Sequence, residues 1–179
     1  MACISKLASA IAYDCDTGAT GLVSALIINR ADIESFTVTP EGLSVDGLTL
    51  NSGAKAYKID TVKRSLVMSE ALKINEGAPN AYTHTANITL TGENSTAIRK
   101  LKAAVANGSF VILAKKQGDT FAKAYGLYYG MSATAADSST HDNGGWTTLT
   151  LETPENVIGE DTLSVGSTLY DALYTAAVG

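Results

Sequence analysis

The chain has 179 residues, of which 45% are hydrophobic and 17% charged, a composition that suits a single domain with its own core. Its net charge of −5 argues against tight binding to the phosphate backbone of nucleic acid, although an acidic surface lets nucleic acid pass without sticking. No run approaches the roughly twenty apolar residues of a membrane span, and the apolar stretch at residues 7–12 is too short for a signal peptide. We therefore expect neither export by this route nor a membrane partner.

The two cysteines, Cys3 and Cys15, are too few for a disulfide framework. A zinc site would need two further ligands, and His84 and His141 lie far away at no recognisable finger spacing. A zinc site and a single disulfide stay open as less favoured alternatives. We predict two reduced, partly buried thiols, and neither a metal nor a cofactor.

Three strands are predicted first in chain order. A compact apolar run, GLVSALIINR at residues 21–30, is typical of a buried strand. Two short strands follow at SFTVTP and GLSVDGLTLN, with Pro40-Glu41-Gly42 and Asp46-Gly47 as turn signals.

A long hairpin with two different faces comes next. From Val62 to Ile74 the even positions are mainly apolar and the odd positions mainly polar, which predicts one strand of thirteen residues. After the turn signal NEGAPN, the segment AYTHTANITLT repeats the alternation, with His84, Ala86, Ile88 and Leu90 on its apolar side. His84 is therefore interpreted as a partly buried structural histidine.

The first strand of this hairpin is too long for the domain to cover. Thirteen residues extend over roughly 40 Å, whereas a domain of this size is about 35 Å across. One end of the hairpin is thus expected to project and to be covered by neighbouring subunits. The candidate interface residues on this end are Leu72, Ile74, Asn75, Pro79 and Tyr82.

One helix is predicted at NSTAIRKLKAAVANG, with Asn94 or Ser95 as its N-cap and Gly108 just after its last residue. Its apolar residues share one face, which indicates an amphipathic helix packed against a sheet. They are Ala97, Ile98, Leu101, Ala104 and Val105.

Three further strands are predicted after the helix, at SFVILAKK, TFAKAYGLYYGMSA and GWTTLTLET. In the second, Phe121, Tyr125, Leu127, Tyr129 and Met131 are expected to share a face. In the third, Leu149 and Leu151 are expected to point inward, which puts Trp146 on the opposite, polar side. A lone tryptophan there is a candidate anchor for a partner subunit.

The segment HDNGG places His141, Asp142 and Asn143 side by side, as a catalytic or metal site could. It lies between two alternating strands, however, and Asn143-Gly144 is a strong turn dipeptide. A catalytic histidine also needs an oriented partner, and no nucleophile motif is present. We interpret the segment as a hairpin loop and expect no enzymatic activity.

These elements predict a mainly β fold of eight or nine strands with one amphipathic helix. Such a chain packs as a two-sheet β-sandwich or a partly closed barrel whose one side is covered by the helix. We expect a single domain over residues 1–179. Residues 1–20 and 154–179 have weak patterns and could form arms that neighbouring subunits order.

The order of the later elements carries a resemblance to a known family. A helix and an apolar strand, STAIRKLKAAVANGSFVILAKK, precede an aromatic strand of the type YG…GM, a loop with D.N.G, and a Thr/Leu strand ending in ET. This order, over roughly residues 20–155, resembles the tail tube (major tail) proteins of long-tailed bacteriophages. The fold is accordingly expected to be tail-tube-like.

The resemblance implies hexameric rings that stack into a tube, with an inner β-barrel that lines a channel for DNA. The partners would be further copies of the chain, other tail proteins such as the tape measure, and phage DNA that passes without specific binding. The protein would be assembled in the host cytoplasm and located in the virion tail. The polar side of the hairpin would face the lumen, at Lys63, Ser65, Ser69, Lys73, Thr85, Asn87 and Thr89.

Two other classes of function stay open. One is another self-assembling protein: a different tail, head–tail completion or baseplate subunit, or a filament subunit unrelated to phages. The other is an enzyme or small-ligand binder on a β-sandwich, which the absence of an acid, base or nucleophile motif disfavours.

Overall fold

The computed structural model describes residues 21–59, 65–74, 76–77, 80–90, 96–138, 146–154 and 162–178, with only the backbone described at 96–101. The described elements are eleven strands, two α-helices and a short 3-10 helix at Arg30–Asp32. In chain order they are β1 (Leu22–Asn29), β2 (Ile33–Val38), β3 (Ser44–Leu50), β4 (Tyr57–Ile59), β5 (Leu66–Lys73), β6 (Ala81–Leu90), α1 (Thr96–Asn107), β7 (Ser109–Lys116), β8 (Ala122–Tyr125), β9 (Met131–Ser138), β10 (Thr147–Glu152), β11 (Leu163–Val165) and α2 (Ser167–Ala176).

The strands form one mixed sheet in the order β2-β3-β11-β8-β7-β9-β10-β6-β5, and β1 pairs with both β7 and β4. Every pair is antiparallel except β3 with β11. The sheet divides at β7, because residues 112–115 of that strand pair with β8 while residues 109–110 pair with β9. The prediction of a mainly β chain is confirmed, but the sheet is continuous and is not closed.

The β1–β7 pair lies at the centre of the molecule and is buried on both faces. Leu26, Val111 and Leu113 belong to one apolar core, whereas Ala25 and Ile112 belong to the other. Since neither face of the pair meets water, its strands are runs of apolar residues rather than alternating ones. The two cores therefore need two covering layers.

The two halves of the sheet supply those layers on opposite faces of the central pair. The first core is completed by β2, β3, β11 and α2, with Tyr170 of α2 fully buried. The second is completed by β5, β6, β9, β10 and α1, with Val105 of α1 buried beside Ile88 and Leu149. The predicted helix is thus confirmed over Thr96–Asn107, and of its predicted apolar face Val105 packs on the sheet.

The thirteen-residue strand predicted from Val62 is wrong. The strand β5 begins at Leu66 and has eight residues, because Ser65 forms a bend. The described pairing with β6 covers eight positions, from Leu66 opposite Ile88 to Lys73 opposite Ala81. Residues 60–64 lie outside the described part of the chain.

The single aromatic strand predicted after β7 is also wrong. It is divided into β8 and β9 by a tight turn in which the N–H of Gly130 donates to the carbonyl of Gly126 at 2.8 Å. Both glycines have positive φ, 69° and 75°, a conformation that side chains disfavour. Tyr129 is consequently in the turn and 46% exposed, rather than on one face with Met131, which is buried. The supposed turn at Asp46-Gly47 lies within β3.

The C-terminal segment does not form a projecting arm over residues 162–178. Its strand β11 pairs with β3 and β8, and its helix α2 packs on the first core. The backbone of Val178 is hydrogen-bonded to residues in and beside β4. Its N–H donates to the carbonyl of Ala56, and its carbonyl accepts from the N–H of Lys58. The chain itself therefore orders this segment. Residues 1–20 and 155–161 lie outside the described residues.

Candidate subunit interface on the β5–β6 hairpin

The predicted hairpin exists as β5 and β6, which pair from Leu66 opposite Ile88 to Lys73 opposite Ala81. Residues directly opposite each other in such a pair lie on the same face of the sheet. The inner face therefore carries four cross-strand pairs: Leu66 with Ile88, Met68 with Ala86, Glu70 with His84, and Leu72 with Tyr82.

Burial changes steeply along this inner face. Leu66 is 3% exposed and packs in the second core, but Leu72 is 53% exposed and Ile74, just after the strand, is 77% exposed. Tyr82, opposite Leu72, is 36% exposed. The apolar pattern thus continues past the point where the core ends.

A buried polar cluster marks that point. His84 has no exposed surface, and its Nδ1 accepts a hydrogen bond from the backbone N–H of Gly126 at 3.0 Å. In the neutral imidazole the proton is then on Nε2, which lies 3.5 Å from Oε1 of Glu70. The backbone of His84 is also fixed, because its N–H donates to Thr153 Oγ1 and its carbonyl accepts from the N–H of Thr153. The predicted structural role of His84 fits this arrangement, although its burial is complete rather than partial.

Glu70 connects the hairpin to the segment that leads into β11. Its carboxylate accepts hydrogen bonds from the backbone N–H of Thr162 at 2.9 Å and from the Thr162 hydroxyl at 3.2 Å. The ring of Tyr125 packs edge-on against His84 at 5.4 Å. Burial, with a smaller contribution from the Glu70 carboxylate, raises the pKa of Tyr125 to about 12.

The three exposed apolar side chains beyond Glu70, namely Leu72, Ile74 and Tyr82, are named here the apolar end of the hairpin. Leu72 and Tyr82 share a face with residues of the core, so their exposure is not the usual outward side of an amphipathic strand. Ile74 follows Leu72 by two positions, just beyond the strand. Contiguous apolar surface of this kind is typical of interaction sites. Asn75 and Pro79, which were predicted to belong to the same interface, lie outside the described residues.

The opposite, outer face of the hairpin is mainly polar, although it also carries Val67 and Ala71. It continues across β10 and β9. Thr150 donates from its hydroxyl to Oδ1 of Asn87 at 2.9 Å across the β6–β10 pair. Among the described positions that share this face, the charged side chains are Lys73, Asp137 and Glu152. The face is therefore close to neutral and rich in hydroxyl groups.

The residues predicted to face a lumen lie on this outer side where they belong to β5 and β6, whereas Ser65 forms a bend before β5. Ser69 and Lys73 are exposed, and the rest are half-buried, namely Ser65, Thr85, Asn87 and Thr89. Lys63 falls outside the described residues. A lumen requires further copies of the chain, so the assignment of these residues to one stays a prediction.

Trp146 immediately precedes β10 and is 47% exposed. In β10, Leu149 and Leu151 are buried as predicted, while Thr148 and Thr150 are half-buried on the other side. Trp146 is thus accessible to a partner, and its burial in an assembly stays a prediction. His141, Asp142 and Asn143 lie outside the described residues.

A cavity of about 510 Å³ lies between α1, β4 and the base of the hairpin, and sequence patterns alone did not indicate it. It is named here the α1–β4 cavity, and its large apolar lining residues include Ile27, Ile59, Ile88, Leu90, Val105, Phe110, Leu149 and Val178. Ala104 also lines it but is exposed, although the helical pattern had placed this residue on the core face. The side chains of Ala97, Ile98 and Leu101 are not described.

No group of three or more histidine, cysteine or acidic residues suited to a metal occurs within the described ranges. Cys3 and Cys15 are outside these ranges. In the same part of the chain, neither helix has the length and apolar character needed to cross a membrane.

Comparisons with known proteins add no relative: no protein-family model matches the chain, and no curated protein or solved structure matches it significantly. The class of protein that the geometry defines is accordingly a β-rich domain with one open sheet.

Proposed function

We propose that this protein is a structural subunit that assembles with copies of itself, and specifically a tail tube protein of a long-tailed bacteriophage. The observation that carries the proposal is the apolar end of the hairpin. Leu72 is more than half exposed on the face that buries Leu66 a few residues earlier, and Ile74, just after the strand, is more exposed still. Exposed apolar side chains on a core-type face are stabilised when a second protein surface covers them.

The open sheet supports self-assembly in a second way. Among the described strands, β5 has β6 as its only neighbour and stands at one edge of the sheet. Natural proteins rarely leave such edges uncovered, because they attract other strands. A ring of subunits would cover these edges with neighbouring copies, as the tail-tube-like fold requires.

The outer face of the hairpin suits the wall of a DNA channel. Its hydroxyl and amide side chains, with Lys73, Asp137 and Glu152 as the charges of the described part, offer no basic surface on which phosphates would be held. DNA would pass such a wall without specific binding. In this proposal the rings are hexameric and stacked, the tape measure and other tail proteins are partners, and the protein is assembled in the host cytoplasm into the virion tail.

Electron microscopy of the purified protein tests the proposal directly. The wild type is expected to form rings or tubes, and the double variant Leu72→Asp with Ile74→Asp is expected to remain a folded monomer, because two charges would enter an apolar contact. The matched control, Ser69→Asp with Ala71→Asp, adds the same charges on the opposite face of the strand and should still assemble.

Other outcomes would contradict the proposal. Discrete closed oligomers would favour a head–tail completion or baseplate subunit, and a wild type that stays monomeric would favour a ligand-binding domain. Normal tubes from the Leu72/Ile74 variant, or loss of its circular-dichroism spectrum, would show that the apolar end of the hairpin is not the interface.

A further inference from the structure

We propose that the hydrogen bond between Gly126 and His84 is a pH-sensitive switch. With a neutral histidine ring, the bond holds the turn between β8 and β9 against the hairpin. When the ring takes up a proton, the bond breaks and the turn is released. Both residues belong to one subunit, so the switch is independent of the proposed self-assembly.

The contact at Nδ1 of His84 is incompatible with a charged ring. Nδ1 accepts from the backbone N–H of Gly126 at 3.0 Å, and a backbone N–H always donates. An imidazolium carries a proton on both nitrogens, so Nδ1 would become a donor as well. Two donors would then face each other around a ring that has no exposed surface. The ring therefore gains a proton only by giving up the bond to Gly126.

Glu70 provides a second arrangement for the charged ring. Its Oε1 lies 3.5 Å from Nε2 of His84, and an opposite charge at such a distance favours the protonated form of histidine. The carboxylate is held in place by the N–H and the hydroxyl of Thr162. The neutral ring thus bonds to Gly126, whereas the charged ring pairs with Glu70. One proton selects between these two arrangements, as a histidine switch requires.

The neighbouring strands present further titratable groups on known sides. On the face of β8 that packs against the hairpin, these are Tyr125 and Lys123. The ring of Tyr125 lies edge-on against His84, and burial raises the pKa of Tyr125 to about 12, so the phenol stays neutral in acid. Glu152 of β10 belongs to the outer face, away from the ring. Histidine is the group in this set that ordinarily titrates near neutral pH.

Acid favours the released arrangement. A histidine in an unfolded or open segment takes up a proton near pH 6.5, whereas the ring bonded to Gly126 remains neutral. The bonded arrangement binds fewer protons, so it is complete above about pH 6.5 and loses stability as the pH falls further. The released element is the turn that carries the exposed side chains of Tyr128 and Tyr129. Acidification should therefore free a turn that displays two tyrosines.

Amide hydrogen exchange of the wild-type protein, followed by NMR, tests the switch with an internal control. The amides of Gly126 and Thr153 both donate to His84, but Gly126 donates to the ring and Thr153 to the backbone carbonyl. From about pH 7.5 to about pH 5, the protection factor of Gly126 should fall at least about tenfold, and that of Thr153 by less than about twofold. Nitrogen chemical shifts of the ring should show Nδ1 unprotonated at the higher pH and protonated at the lower.

Three variants separate the two arrangements. Glu70→Gln keeps an acceptor for Thr162 but removes the charge that favours the imidazolium, so the midpoint of the Gly126 change should fall by about one pH unit. The matched control Glu152→Gln removes a carboxylate from the outer face and should leave the midpoint unchanged. His84→Leu lacks the ring acceptor, so Gly126 should exchange rapidly at both pH values.

Four results would overturn the inference. A ring that stays neutral down to about pH 5 would leave His84 with a structural role alone. Constant protection of Gly126 while the ring takes up a proton would show that the bond is not the switch. Equal loss of protection at Thr153 would mean that acid opens the hairpin rather than the turn. A wild-type midpoint in Glu70→Gln would exclude Glu70 as the partner of the charged ring.

Discussion

Replacing His84 by leucine should destabilise the isolated domain by about 2 kcal/mol. The substitution keeps most of the buried volume, and swaps of this kind usually cost less than about 1.5 kcal/mol in packing. It removes the acceptor of the Gly126 N–H, however, and a buried donor left without a partner costs about 1–3 kcal/mol. Glu70 keeps its hydrogen bonds from Thr162, so no charge becomes isolated.

The loss can be measured as a melting temperature. For a domain of this length each kcal/mol lowers Tm by roughly 2–4 °C, so a decrease of about 4–8 °C is expected. Hydrogen exchange at the Gly126 amide should accelerate by more than the global change explains, because its bond to Nδ1 is absent. The control is Met68→Leu, a volume-conserving change on the same face that removes no acceptor.

The reasoning would be refuted by a His84→Leu protein as stable as the Met68→Leu control. It would equally be refuted if the Gly126 amide kept its wild-type exchange rate. Either result would mean that the geometry around Nδ1 does not determine the stability of the turn between β8 and β9.

Three further predictions concern alkaline stability, assembly and local protection. Burial raises the pKa of Tyr125 to about 12 in the folded state, against 10.0 in an unfolded chain. The protonated phenol therefore contributes roughly 3 kcal/mol to the free energy of unfolding below pH 10, and this contribution is lost as the pH rises to 12. Tyr125→Phe should reduce the dependence of the free energy of unfolding on pH over this interval. Part of the dependence should remain, because burial also raises the pKa of Tyr170. The fluorescence of Trp146 should shift to shorter wavelength on assembly, and an identical spectrum in monomer and polymer would count against its burial. Amides near Ile74 should exchange rapidly in the monomer and be protected in the assembled state, whereas rapid exchange in both would place the hairpin end outside the interface.

Local patterns predicted the elements that depend on neighbours in sequence. The alternation from Ala81 to Leu90 gave the two faces of β6, and the same logic predicted the buried Leu149 and Leu151 of β10. The apolar periodicity before Gly108 predicted α1. These succeed because a strand or an amphipathic helix repeats its side-chain direction every two or 3.6 residues.

Two errors had signals that were present in the sequence. Gly126 and Gly130 indicate a turn between β8 and β9, but the surrounding aromatic residues favoured one long strand. The spacing of Leu169, Tyr170, Leu173 and Tyr174 is typical of a helix, and it marks α2 within a segment that was interpreted as an arm.

What the sequence determined by itself was the mainly β character, the hairpin and which of its faces is polar, since these follow from composition and periodicity. The tertiary structure decided how far each element extends and what covers it. His84 meets Gly126 across 42 positions, and Glu70 meets Thr162 across 92, so no local pattern contains either contact. Only these distant contacts show where the chain stops covering the hairpin and leaves Leu72 and Ile74 exposed, because burial depends on which surfaces folding brings together.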